Sequence, residues 1–468
     1  MTWAKAKAEM VAPSKTNVLE GPVHRHILRM LGPFSIAVIA LISTGIVDTI
    51  YLGRLTDPDN PNIARAVLAA LGIAFPLSFL VNSANIGLGA GTMSAVSRAL
   101  GQGDVAKSRR HAAAAILLGL FVMTIFVSIM LLNAPFVLSL MGQSQDIQTR
   151  AFGYLLIVMP GLVLVSVASM SNNILRAGGE ALLPSSIMIL GALINIFLNP
   201  FFIYGWGPFP RMELQGAALS TLVGNGVGAA YGFYIVLFHR KAVDFVGMTF
   251  QSMKHAWSII GQVGLPAAGT NIIVPLATWI VVAIIGNVLG EADVAAFTVA
   301  SRAELISVGL LYALSACIGA VTGRNGGAGK TDRVRAAFRV SYLICVIWGT
   351  LMALLLAIFA REIAHIFTSD DLLIDKIVPY FYIVPVTVFC YGFVFVSAAG
   401  LNALGRPLYG LTYTIIRSLV LYVGLVGTGV YFAGLTGAYI GVAAANIVSG
   451  LIAFVWTMKK APMTAKES

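Results

Sequence analysis

Leu214–Asn225 reads LQGAALSTLVGN and Leu435–Asn446 reads LTGAYIGVAAAN, with Gly-Ala and the closing Asn at the same spacing in both. A second pair repeats the relation upstream. SNNILRAGGEALLP (Ser171–Pro184) follows an apolar run that begins near Tyr154, and GLNALGRPLYG (Gly400–Gly410) follows one that begins near Tyr382. The chain is therefore two related halves joined in tandem, and the reading of one half constrains the other.

Working outward from these segments, apolar runs of the length needed to cross a bilayer (roughly 20 residues) recur along the whole chain. They lie near 27–53, 66–92, 112–134, 151–175, 182–204, 216–238, 257–287, 294–320, 337–360, 378–403, 409–431 and 434–457. The composition agrees: 58% of the 468 residues are hydrophobic and only 10% are charged, against about 25% charged in soluble domains. One large buried core cannot account for the missing charge, whereas lipid-facing helices can be apolar all round. The sequence predicts an all-α integral membrane protein with about twelve transmembrane helices in two six-helix lobes. The expected organisation is a tail over 1–26, a first lobe over 27–240, a linker over 241–256, a second lobe over 257–458 and a tail over 459–468. The amino-terminal residues are polar and lack the apolar core of a secretory signal.

The net charge of +11 is topological rather than a nucleic-acid footprint. Of the 30 Lys and Arg, 22 fall on the side that holds both termini and six on the other, with Arg302 and Arg417 within or at the edge of spans. This is the positive-inside pattern, and it predicts cytoplasmic termini and an even helix count. The expected location is the plasma membrane, as a multi-pass protein of the bacterial inner membrane. Two halves that both start inside form a parallel repeat, an arrangement in which transporters commonly bind substrate between the halves.

Several motifs dissolve on inspection. GRNGGAGKT (Gly323–Thr331) has Arg324 where a phosphate-binding loop needs Gly, and it follows a membrane span rather than a strand. GLGAG (Gly87–Gly91) and GNGVG (Gly224–Gly228) suit close helix packing better than nucleotide binding. Cys317, Cys345 and Cys390 sit singly in apolar runs and the six His lie near segment ends, so neither a disulfide framework nor a metal site is expected. No cofactor is expected beyond an ion gradient.

Acids inside the bilayer carry more information. Asp48, in ALISTGIVDTIYLG (Ala40–Gly53), is the clear case. A charge at that depth costs at least about 2.5 kcal/mol, so such groups usually face a cavity and serve an ion or substrate path. Loss of hydration favours the neutral carboxyl, which would let it take up and release a proton; a structural carboxylate is the plainer reading. Glu304 is weaker, standing near the start of the eighth span close to Arg302. INIFLNP puts Asn195 and Asn199 four residues apart on one helix face, before Pro200, as cavity lining or as interhelical glue. Tyr154, Asn172, Asn82 and Asn85 are further interior polar candidates. Pro33, fifteen residues before Asp48, can kink the first span and act as a hinge.

At these residues the chain resembles the multidrug and toxic compound extrusion (MATE) family, over roughly residues 25–460. The resemblance rests on Gly32–Pro33, VDTIYLGRL (Val47–Leu55), GLGAGTMSAVSRALGQGD (Gly87–Asp104), NNILRAGGE, INIFLNPFFIYGWG (Ile194–Gly207) and LQGAALST. In the second half it rests on VGLPAA (Val263–Ala268), VAAFTVASR (Val294–Arg302), IFTSDD (Ile366–Asp371) and LNALGRP. It implies two six-helix lobes around a V-shaped cavity and cation-driven export of amphipathic, often cationic compounds. Asp48 resembles the first-helix carboxylate of the DinF-like branch, Asn195 an amide of that branch's cavity and Tyr154 a cavity tyrosine. Asn199 departs from the family, whose members often carry Asp there. The NorM-like branch places acids in the seventh and tenth helices. Here the seventh has Thr270, Asn271 and Thr278 instead, which favours protons over sodium as the coupling ion. The expected partners are small amphipathic substrates, H+ or Na+ and membrane lipid, with the chain a monomer. The alternatives are a flippase for lipid-linked oligosaccharides, which would need a strongly basic cavity, and a membrane-embedded enzyme, which would need clustered His, Asp or Glu.

Overall fold

The computed structural model describes residues 18–56, 63–140, 144–246, 248–367 and 370–466, and the side chains of 291, 302, 303, 305 and 306 lie outside that description. The described residues are helical almost throughout, with no strand among them. The first half contains α1 (Val23–Gly53), α2 (Ile63–Gly101), α3 (Val105–Ser139), α4 (Gln145–Ala177), α5 (Leu182–Tyr204) and α6 (Glu213–Tyr234), the last running into a π-helical turn at Ile235–His239. The second half contains α7 (Phe250–Leu289), α8 (Glu291–Gly327) and α9 (Thr331–Ile358), then the short α10 (Ala360–Phe367). It continues with α11 (Asp371–Ile383) and α12 (Val388–Ala403), joined by a 3-10 turn at Pro385–Thr387. It ends with α13 (Pro407–Ile415), a π-helical turn at Ile416–Tyr422 and α14 (Val423–Lys459).

Eleven of the described helical stretches are long and apolar enough to cross a membrane. The last, Pro407–Lys459, has 53 residues, about 80 Å of helix at 1.5 Å per residue, far more than one ~30 Å crossing needs. It is two crossings. Ala433 (φ −140°, ψ 22°) and Gly434 (φ 59°, ψ −142°) leave the helical region and turn the chain back. The returning helix then packs so closely that a Cβ on Gly437 would stand 2.0 Å from the carbonyl oxygen of Gly429. Only glycine fits that contact, which explains why the Gly-Ala of the repeat recurs here.

Two compact units emerge. One comprises Gly32–Leu100 and Asp104–Ala268, and the other Val18–Leu31, Gly101–Gly103 and residues 269–466. The first is built around Val67, Val81, Met123, Leu155 and Met159, and the second around Val281, Phe297, Ile377, Phe381 and Val426. The division between the units falls inside α1, at Leu31–Gly32, and inside α7, at Ala268–Gly269. Pro33, half-buried within α1, therefore stands where the first helix passes from one unit to the other.

Candidate functional site

In the first unit, α1 and α5 bring two predicted residues into direct contact. The side-chain amide of Asn199 donates to Asp48 Oδ1 at 2.6 Å. Asn199 is fully buried and its own carbonyl oxygen has no partner, while Asp48 is half-buried. Where the resemblance leads one to expect an acid, Asn199 thus presents a donor aimed at Asp48. One turn earlier on α5, Asn195 Nδ2 donates to Thr221 Oγ1 of α6 at 3.0 Å, again leaving its carbonyl oxygen unpartnered. Tyr154 of α4 packs against the apolar core of this unit and lies within electrostatic reach of Asp48. The helix that ties the carboxylate thus carries two amide carbonyl oxygens left without partners.

The remaining candidates are placed apart from that contact. Asn172 is buried on α4 with an unpartnered carbonyl oxygen. Asn85 donates to the Leu162 carbonyl at 3.1 Å, a bond that ties α2 to α4. Asn82 is half-buried on α2. Asn271, half-buried on α7, belongs to the second unit. Among the described residues no group of three or more His, Cys, Asp or Glu could hold a metal ion.

The second unit holds a cluster that the sequence did not assemble. A cavity of about 340 Å³ is lined by Glu304 of α8, Tyr380 of α11, Tyr391 of α12, and Arg417, Ser418 and Tyr422 of the π turn, among apolar neighbours. Glu304 accepts a hydrogen bond from the Tyr380 hydroxyl. Arg417, which spacing put within or at the edge of a span, lies mid-helix and is 7% exposed. Its guanidinium sits 3.5 Å over the Tyr391 ring and donates from Nη2 to Asn446 Oδ1 at 3.0 Å. Asn446, the last residue of the repeat motif, donates in turn to Thr387 Oγ1 at 3.2 Å. The suggested neighbourhood of Glu304 with Arg302 concerns a side chain outside the described residues. What could have flagged this cluster is the pairing of two intramembrane charges, Glu304 and Arg417, across more than a hundred positions.

Comparison with known proteins agrees with this architecture. The MatE family model matches residues 33–201 and 266–426, one block in each half. The chain is 28% identical over 440 residues to a protein named FAD transporter from Shewanella oneidensis, covering 93% of this chain and 95% of that one. It is 22% identical to the multidrug export protein MepA of Staphylococcus aureus, covering 89% and 90%. Its fold superposes with a TM-score of 0.85 on the Vibrio cholerae MATE transporter VcmN in the bent form, at 24% identity and 93% and 96% coverage. It likewise matches a MOP superfamily transporter from Pyrococcus furiosus, with TM-score 0.86, 25% identity and 94% and 96% coverage. With both halves matched and nearly the full length of these transporters spanned, the chain belongs to the MatE family of multi-pass membrane efflux transporters, whose members are not enzymes.

Proposed function

We propose that this transporter exports amphipathic, often cationic compounds in antiport with protons by alternating access, with Asp48 as the coupling group. The observation that carries the reading is the 2.6 Å contact from the Asn199 amide to Asp48. That bond is strong to a carboxylate and weaker to the neutral acid, so a proton arriving at Asp48 loosens the tie between α1 and α5. Pro33, where α1 passes between the two compact units, is the natural hinge for the resulting movement. Asn195, Tyr154 and Asn172 contribute polar positions in the same lobe, and Asn271 contributes one in the other. The termini face the cytoplasm of the bacterial inner membrane, and the chain works as a monomer. A flippase for lipid-linked sugars finds less support. Arg417 is the one base among the residues lining the described cavity, which it shares with the acid Glu304.

The test is ethidium efflux from proteoliposomes under an imposed pH gradient, comparing wild type with Asp48→Asn. Transport by wild type and none by a well-folded variant supports the reading. Equal rates would reduce Asp48 to a structural group, and efflux that follows a sodium gradient instead would replace the proton. A second reading, export of a flavin dinucleotide, is favoured by the match along 95% of the FAD transporter. Replacing ethidium with FAD in the same vesicles decides between the two.

A further inference from the structure

We infer that the cavity of the second unit is a binding site for a planar aromatic anion, a carboxylate or phosphate ester carried on a flat ring, with Arg417 as its anchor. The site is separate from the Asp48 contact, and its occupancy does not depend on which cation drives transport.

A guanidinium is permanently charged, and its burial at bilayer depth is costly enough that such residues usually mark a ligand or ion path. Arg417 is not neutralised by an ion pair, since no carboxylate among the described residues lies within 4 Å of it. Its partners are neutral: the Asn446 carbonyl oxygen and the face of Tyr391. These fix the guanidinium plane, and Thr387 fixes Asn446. One donor, Nε, is left buried and unpartnered, and so is the hydroxyl of Ser418, which is 1% exposed and lines the same cavity. Glu304 lines the same cavity but is held by the Tyr380 hydroxyl rather than ion-paired to Arg417. Two unused donors beside a buried cation thus call for an anionic acceptor, and a guanidinium edge matches a carboxylate or phosphate in geometry.

The backbone has been bent to make this arrangement. Arg417, Ser418 and Tyr422 all lie on the π-helical turn Ile416–Tyr422, and single π turns inside α-helices occur frequently at functional sites. Thr387 lies on the 3-10 turn that interrupts the neighbouring span. The remaining walls choose the rest of the ligand. Tyr312, Tyr380, Tyr391 and Tyr422 line the cavity together with Phe297, surfaces on which a flat ring stacks favourably. The cavity volume of about 340 Å³ is at the lower end for small-molecule sites, which suits one ring system with its acid group rather than a whole dinucleotide.

The test is equilibrium binding to the purified full-length protein in nanodiscs, read by quenching of flavin fluorescence. The probes are riboflavin 5′-phosphate, the planar anion, and riboflavin, its uncharged counterpart. The phosphate ester is expected to bind at least about tenfold more tightly, and Arg417→Gln to remove that preference while riboflavin binding changes little. Thr298→Phe, which narrows the cavity from a wall other than the Arg417 turn, is expected to weaken both probes. It serves as the test should Arg417→Gln fail to fold. Equal affinity for the two probes, no measurable binding of either, or full binding by a folded Thr298→Phe protein would each overturn the inference.

Discussion

Counted from Pro184, the fifth span of the first half presents Asn195 at the eleventh residue and Asn199 at the fifteenth; counted from Pro407, the same distances reach Ser418 and Tyr422, with Arg417 beside them. Both helices thus place their buried polar groups at matching depth, and both face an acid from another helix. The charge logic differs. In the first half the helix is regular, the groups are neutral amides, and one of them donates to the acid, Asp48. In the second a π turn brings in a guanidinium, the acid Glu304 is held by a tyrosine, and rings surround both. A duplicated scaffold sets where polarity is tolerated, while individual residues set its sign. A carboxylate tied to an amide attracts a proton or cation, whereas a guanidinium whose direct partners are neutral attracts an anion.

The largest effect that could break this division comes from neutralising the two acids in turn. Asp48→Asn should reduce gradient-driven efflux by about 5–150-fold, the span of a typical coupling free energy, while Glu304→Gln leaves the coupling to the gradient intact. Initial rates at matched protein density measure both. Equal losses would mean that the halves share the coupling role. Next in size is Asn199→Ala. Removing a hydrogen bond to a carboxylate costs about 1.5–3 kcal/mol, so the dependence of the rate on the gradient should weaken about tenfold or more. Asn195→Ala, which leaves Asp48 its partner, should cost less.

A third effect sharpens the comparison through stability. Asn446→Ala deprives buried Arg417 of its Nη2 acceptor and should destabilise the protein by about 1–3 kcal/mol, visible as a lower melting temperature in detergent. Asn225 closes the matching motif of the first half but is only half-buried on α6. Asn225→Ala should shift the melting temperature much less. Similar shifts would indicate that both amides serve helix packing and that the guanidinium does not distinguish them.

The spans, the repeat and Asp48 were legible because each rests on a local property: apolar length, recurring spacing, or one acid in an apolar run. Asn195 and Asn199 could be placed on one face from their four-residue separation, but not paired. That Asn199 reaches Asp48 joins positions 151 apart in the chain, and the sequence suggested only that an acid was missing. The aromatic cavity was hidden for two physical reasons. Periodicity assumes 3.6 residues per turn, and a π turn shifts the faces of everything after it, so Arg417 could be put within or at the edge of a span but not on a face. Its partners, Tyr391 and Asn446, come from two other helices, and Asn446 reads first as a repeat marker. The expected break between the runs 409–431 and 434–457 coincides with the turn at Ala433–Gly434.

The smallest expected effect concerns the turns that follow Asn173 and Asn402. In the first half, Glu180 lies between α4 and α5 and pairs with Arg240 Nε at 2.8 Å. Burial pushes its carboxyl above the ordinary value of 4.5, and the attraction of Arg240 offsets this only in part. A carboxyl raised on folding binds more protons in the native than in the unfolded state, so stability falls as pH climbs through the range above 4.5. In the second half the matching turn has no acid, and Leu404 is held by its backbone carbonyl, which accepts from the Lys466 amide at 3.0 Å. Glu180→Gln should therefore flatten the decline of melting temperature between pH 4.5 and neutrality, and leave the protein no less stable at pH 7. A clear loss of stability at pH 7 would mean that Arg240 outweighs burial, and that the first half closes this turn by charge where the second uses its backbone.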